Sequence, residues 1–86
     1  MSAVAGATPE AALLALLAAR AAEATVCPSE VARALAAASG SDWRDEMPRV
    51  HAATDRLLAA GTIRLSWRGA MLPERDGPYR IGRGSD

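Results

Sequence analysis

At Gly61 the spacing of the apolar residues changes, and that change limits the chain to one kind of fold. Before Gly61, Leu13 and Leu17, then Val31 and Leu35, then Val50 and Leu57 recur at intervals of four or seven. Such intervals place side chains on one face of a helix. After it, in Thr62-Ile63-Arg64-Leu65-Ser66-Trp67-Arg68, apolar and polar residues alternate strictly. Alternation is the mark of a half-buried strand. It sends Ile63, Leu65 and Trp67 inward and Arg64, Ser66 and Arg68 outward.

The boundaries of the helical segments are written in their punctuation. Thr8, Pro9 and Glu10 form a helix start, with Thr as cap, Pro in the first turn and Glu at the positive end. The first helix is predicted to run to about Ala22, with Leu13, Leu17 and Ala21 on its inner stripe. Leu14 and Leu16 flank that stripe, so one edge leucine is expected to stay exposed. Thr25-Val26 reads as a short extended piece, because α geometry is disfavoured ahead of Pro28. With Cys27 as cap, Glu30 is the third helical residue and can reach back to the backbone N–H of residue 27. Ser39-Gly40-Ser41 then stops the second helix. Asp42 caps a further short turn containing Trp43, and Pro48 opens or kinks a third helix that ends near Ala60. After the strand, Gly69 begins a turn. A loop through Pro73 and Gly77 leads to a second strand at Tyr79-Arg80-Ile81.

The order predicts a mainly α chain with a small β-hairpin, an α+β fold. It is the winged helix-turn-helix arrangement of three helices plus a two- to three-stranded wing sheet. Residues 1–8 read as a flexible arm, 9–82 as the winged-helix domain and 83–86 as a flexible tail. At 86 residues there is room for one domain with a modest core. Half the residues are apolar, many of them alanine, and phenylalanine is absent. The core is therefore expected from Leu, Val and Ile, with Trp43 filling the gap between the second and third helices and Trp67 packed inside the hairpin.

Four stretches carry a family resemblance: "CPSEVARAL", "DWRDEMPRV", "AAGTIRLSWRG" and "GPYRI". Together they resemble a family of short bacterial proteins of unknown function, over roughly residues 10–82. The resemblance implies a winged-helix-like fold and brings no activity with it. Some members of that family also carry a zinc-ribbon-like cysteine-rich segment. This chain has none, so no metal role is implied.

Charge supplies the candidate site. All ten basic residues are arginine, they equal the acidic residues in number, and the net charge is zero. No global field therefore draws the protein to nucleic acid or to a membrane. The window from Arg49 to Arg68 is nonetheless basic, with Arg49, Arg56, Arg64 and Arg68 against Asp55 alone. In a winged helix the third helix enters the major groove. Arg49 and Arg56 are seven apart and share a face of that helix, with His51 beside them. Asp45, four before Arg49, can steer or partly neutralise it. Arg64 and Arg68 would hold the backbone from the wing. These five residues form the expected contact surface for double-stranded DNA.

A second reading stays open. Winged helices also serve as protein-interaction modules, and the zero net charge and Asp45-Glu46 fit that role. Arginines converging on one face without acids favour DNA, whereas arginines interleaved with acids in ion pairs favour the module. A possible homodimer would use the wide leucine face of the first helix.

No catalytic or metal site is expected. No nucleophile has a base and an orienting acid at recognisable spacing, and no glycine-rich phosphate loop is present. One histidine and one cysteine make a metal site poor chemistry, and no cofactor is expected. Cys27 fits a half-buried capping residue. A helix N-terminus can lower a thiol pKa, but a single cysteine has no partner to resolve an oxidised form. The start of the chain lacks the look of a signal peptide, and Ala11–Ala19 is too short to span a bilayer. A cytoplasmic protein is the expectation.

Overall fold

A computed structural model describes residues 8–84. Most of the expected arm and the last two residues of the expected tail lie outside that range. The described chain holds three helices and three strands: α1 (Pro9–Ala18), α2 (Pro28–Ser39), α3 (Trp43–Ala59), β1 (Ile63–Trp67), β2 (Ala70–Leu72) and β3 (Arg80–Arg83). The strands form one antiparallel sheet in the order β2-β1-β3. The layout is α+β and winged-helix-like, as the change of period predicts.

The caps form as their residues dictate. Thr8 Oγ1 accepts from the Ala11 N–H at 3.1 Å. The Cys27 N–H donates to Glu30 Oε1 at 2.8 Å, the expected half of a capping box. Glu30 also takes both terminal nitrogens of Arg20. The Arg20 hydrogen bond, then the Cys27 N–H, lower the Glu30 pKa to about 2. Gly40 closes α2 at φ 78°, the left-handed conformation in which a side chain is strained.

The core lies where the helices meet the inner face of the sheet. Leu13, Val26, Val31, Val50, Leu65 and Ile81 are all fully buried. Val26 and Ile81 exchange two backbone hydrogen bonds, at 2.8 and 2.9 Å. The expected extended piece before Pro28 is therefore a bridge to β3. Leu14 is 37% exposed, which makes it the edge leucine left open on α1.

Five expectations are corrected. The first helix ends at Ala18, not near Ala22. Arg83 Nη2 donates to the carbonyls of Leu17 and Arg20, so the last turn is satisfied from β3 and the chain is free to turn away. Ala21 is accordingly exposed and outside the stripe. The short turn after Asp42 and the third helix are one continuous helix with Pro48 inside it. Pro48 removes only the hydrogen bond to the Arg44 carbonyl, close to the helix start and on the exposed side. The stretch after Gly69 is strand, not loop: β2 pairs with β1 through Leu65–Leu72, Ser66–Met71 and Trp67–Ala70. Its Ala-Met-Leu sequence is too short and too poor in β-branched residues to announce itself. Trp67 is 37% exposed, because it sits at the hairpin apex beyond the reach of the helices. Arg83 forms the end of β3 instead of entering the tail.

Two stability outcomes follow. Leu65→Ala empties a fully buried site on the central strand; urea unfolding is expected to show a loss of about 2–5 kcal/mol. Pro48→Ala restores the missing helix donor and is expected to raise stability by about 1–3 kcal/mol in the same assay.

Candidate functional site

The outward side of α3 is built from Arg44, Asp45, Pro48, Arg49, Ala52, Asp55, Arg56 and Ala59, all exposed. The cations expected to meet DNA there are already engaged. Arg49 Nη1 lies 2.7 Å from Glu46 Oε1, so its partner is the residue three before it and not Asp45. Glu46 is only 6% exposed, and its second oxygen accepts from Ser41 Oγ at 2.7 Å. The Ser41 hydroxyl, and then Arg49, hold this carboxyl below the usual glutamate range. Arg56 reaches across to α1, where its Nε and Nη2 both lie 2.6 Å from Glu10 Oε2.

Asp55, also on this side, faces a cation from another element. Arg75, in the connection between β2 and β3, donates Nε and Nη2 to the two Asp55 oxygens, each at 2.9 Å. That is the two-pronged geometry in which guanidinium and carboxylate pair best. Counting these partners with Asp42 and Asp45, the α3 side presents four guanidinium groups against five carboxylates.

His51 is turned toward the sheet. Its Nδ1 lies 2.7 Å from the Tyr79 hydroxyl, with the rings 5.7 Å apart. Tyr79 is 4% exposed, and its hydroxyl donates to Thr54 Oγ1 at 3.4 Å. Thr54 in turn donates to the Val50 carbonyl at 2.8 Å. The network ties the segment before β3 to the middle of α3. Burial first, then the Arg75 charge, lower the His51 pKa, against a smaller opposing effect of Asp55. Burial raises that of Tyr79.

The wing arginines are placed differently from the expectation. Arg64 projects from β1, and its Nε donates to the Arg83 carbonyl at 2.8 Å. Arg68 is not on the strand face. It occupies the two-residue hairpin turn with Gly69, at φ 51° and 83°, the twist that a tight type I′ turn requires. Its guanidinium lies 5.8 Å from the Trp67 ring centre. Neither Arg64 nor Arg68 meets a carboxylate within 4.0 Å among the described residues. The two stand at opposite ends of β1, about 13 Å apart along the strand. Of the five predicted residues, Arg49, His51 and Arg56 are hydrogen-bonded to other side chains, and among the described residues Arg64 and Arg68 are not.

Two features escaped the sequence. Arg83 caps α1 from the end of β3, and its only signal is that it continues the alternation of Tyr79 and Ile81. Trp43, expected to fill the gap between α2 and α3, packs against the core but stays half-exposed. The guanidinium groups of Arg33 and Arg44 lie 4.7 and 4.6 Å from its ring centre. Cys27 sits with Sγ 3.1 Å from Ser29 Oγ. Among the described residues no group of three or more His, Cys, Asp or Glu is arranged to hold a metal ion. No described helix is long and apolar enough to cross a membrane.

Fold and surface together define a small winged-helix-like α+β domain with a charge-paired third helix. The family described as "Protein of unknown function (DUF3253)" matches residues 7–84, and the chain belongs to that family. A comparison with curated proteins gives no match.

The His51 environment sets a pH dependence. The neutral imidazole is favoured in the folded state, so the unfolded chain binds more protons as pH falls below the ordinary value of 6.5. Stability is expected to be fully present above that value and to decline as pH falls through the lowered folded pKa. Urea midpoints between about pH 7.5 and 5 measure this decline, and His51→Gln is expected to flatten it.

Proposed function

We propose that this domain is a non-catalytic interaction module that docks on a protein partner and does not read DNA with α3. The observation that supports this reading best is the pairing of the α3 cations: Arg49 with Glu46 and Arg56 with Glu10. Affinity for a duplex grows with the number of phosphates neutralised by protein cations. To join in, Arg49 would have to abandon a carboxylate that is 6% exposed, and Glu46 would stay beside the phosphates. Asp42 and Asp45 at the start of the helix would repel them as well.

The apex of the wing has the opposite character. Trp67 is 37% and Met71 58% exposed, with Arg68 stacked nearby. Tryptophan, methionine and arginine are the residue types enriched at protein interfaces, and tryptophan and arginine often anchor them. This apex is where the reading puts the contact. A homodimer through α1 has less support. A helix of 10 residues is about 15 Å long, too short to supply by itself the roughly 800 Å² per partner of a stable interface. Among the described residues no base and nucleophile are placed together: His51 is engaged by Tyr79 and Cys27 by Ser29.

Fluorescence anisotropy of a labelled GC-rich duplex tests this reading, with wild type beside Arg49→Ala/Arg56→Ala. At about 50 mM salt wild type and double variant are expected to behave alike, without a salt-steep rise. Binding that weakens steeply with salt and is lost in the double variant would overturn the proposal and return α3 to the major groove.

A further inference from the structure

The C-terminal end of α3, beyond Arg56, borders a second feature. A groove of about 790 Å³ runs between the ends of α1 and α3 and the ends of β1 and β3, with Arg64, Arg83 and Thr62 on its walls. Its floor depends on glycine: a Cβ on Gly84 would collide with the Gly61 carbonyl oxygen. Next to it lies a concavity of about 320 Å³ formed by Leu14, Leu17, Ala18, Thr62 and Arg83. Arg83 and Thr62 belong to both, so a groove of mixed character carrying two arginines adjoins a more apolar one beside α1. Both are open to solvent and shallow.

Among the described residues the two arginines are ordered but meet no carboxylate. Arg64 is fixed by one hydrogen bond, from Nε to the Arg83 carbonyl. Arg83 is fixed by Nη2, which donates to the Leu17 and Arg20 carbonyls. A guanidinium has five N–H donors, so most of the donors of both groups are still uncommitted. Neither group meets a carboxylate within 4.0 Å among the described residues. Nearby, Arg80 donates to Thr25 and Arg20 is paired with Glu30. Among the described residues, Glu23 is the one acid that lines the adjoining part of the surface. Ordering by backbone carbonyls lowers the entropy lost when an anion binds.

The apolar side has its own anomaly. From Ala11 to Ala19 the chain holds no polar residue, and a helix apolar on every face is ordinarily buried. Here Leu13 and Leu17 are buried while Leu14 is 37% exposed beside Arg83. An apolar strip that no described residue covers, ending at two arginines that meet no described carboxylate, is complementary to a molecule with the same two parts.

We infer that this groove binds a small amphiphilic anion, with its phosphate or carboxylate head on Arg64 and Arg83 and a short apolar body along Leu14 and Ala18. The head takes the free end of the Arg64 fork, the geometry in which guanidinium holds paired oxygens. The body covers about 6 Å of α1 and removes Leu14 from water. The site does not use Trp67 or Arg68 of the wing apex, while Met71 borders the adjoining surface together with Arg64 and Arg83.

Octyl phosphate, below its micelle concentration, is the probe, and NMR of the full chain is the readout. Saturable shifts are expected at the Arg64 and Arg83 Nε–H signals and at the Leu14 methyls. Octyl phosphate is expected to bind about tenfold more tightly than inorganic phosphate or octyl glucoside. Arg64→Gln and Leu14→Gln each alter an exposed side chain, and each is expected to weaken binding about tenfold with the fold intact by circular dichroism. Vesicles of phosphatidylglycerol and phosphatidylcholine separate the sources. Co-sedimentation that Arg64→Gln abolishes assigns the head to a lipid surface, and binding of the free amphiphile alone assigns it to a soluble ligand. The inference is overturned by the absence of saturable shifts, by equal binding of octyl glucoside, or by indifference to Arg64→Gln. It is also overturned if duplex DNA displaces the probe while the Leu14 methyls do not move.

Discussion

The two hydrogen bonds between Val26 and Ile81 join the halves of this domain. Val26 lies between α1 and α2 and Ile81 lies in β3, so the bridge clamps the helical layer to the sheet. Both side chains are fully buried. With the bridge in place, β3 runs beside the α1–α2 connection. Arg80 then reaches Thr25, Arg83 reaches the end of α1, and Tyr79 comes under His51. Most of the polar contacts that hold the sheet to the helices depend on this register.

The charges are divided unevenly between the two sides of the domain. On the α3 side every arginine expected to face DNA has an acidic partner, and one of those partners is nearly buried. On the side of the groove, Arg64 and Arg83 are held by carbonyl oxygens, which order a guanidinium without cancelling its charge. A net charge of zero conceals this asymmetry. Among the described residues, the arginines without a carboxylate partner are thus not those of the helix that the fold would suggest.

The sequence made the helical part of the fold legible because its signals are local. The Cys27–Glu30 contact spans three residues, the Gly40 stop follows its own helix, and the inward face of α3 repeats at helical spacing. The strand β1 was equally plain, since Ile63, Arg64 and Leu65 alternate in burial as they alternate in character. Trp67 broke the pattern because it lies past the helices that would cover it. The short β2 and the last residue of β3 gave weak signals, since their pairing with β1 owes more to position than to propensity. The candidate site was much less legible. His51 looked like a surface residue beside Arg49, and Tyr79, which engages it, lies 28 residues away.

By itself, the sequence determined where the first two helices start, most of the faces that turn inward, where the period changes and that the fold is α+β. Each of these rests on interactions between residues a few positions apart. The tertiary structure alone decided which charges neutralise each other and which stay available. Arg56 meets Glu10 across 46 residues and Arg75 meets Asp55 across 20. Arg83 meets the Leu17 carbonyl across 66. Electrostatic pairing depends on distance through space, and only the packing of helices on the sheet sets that distance.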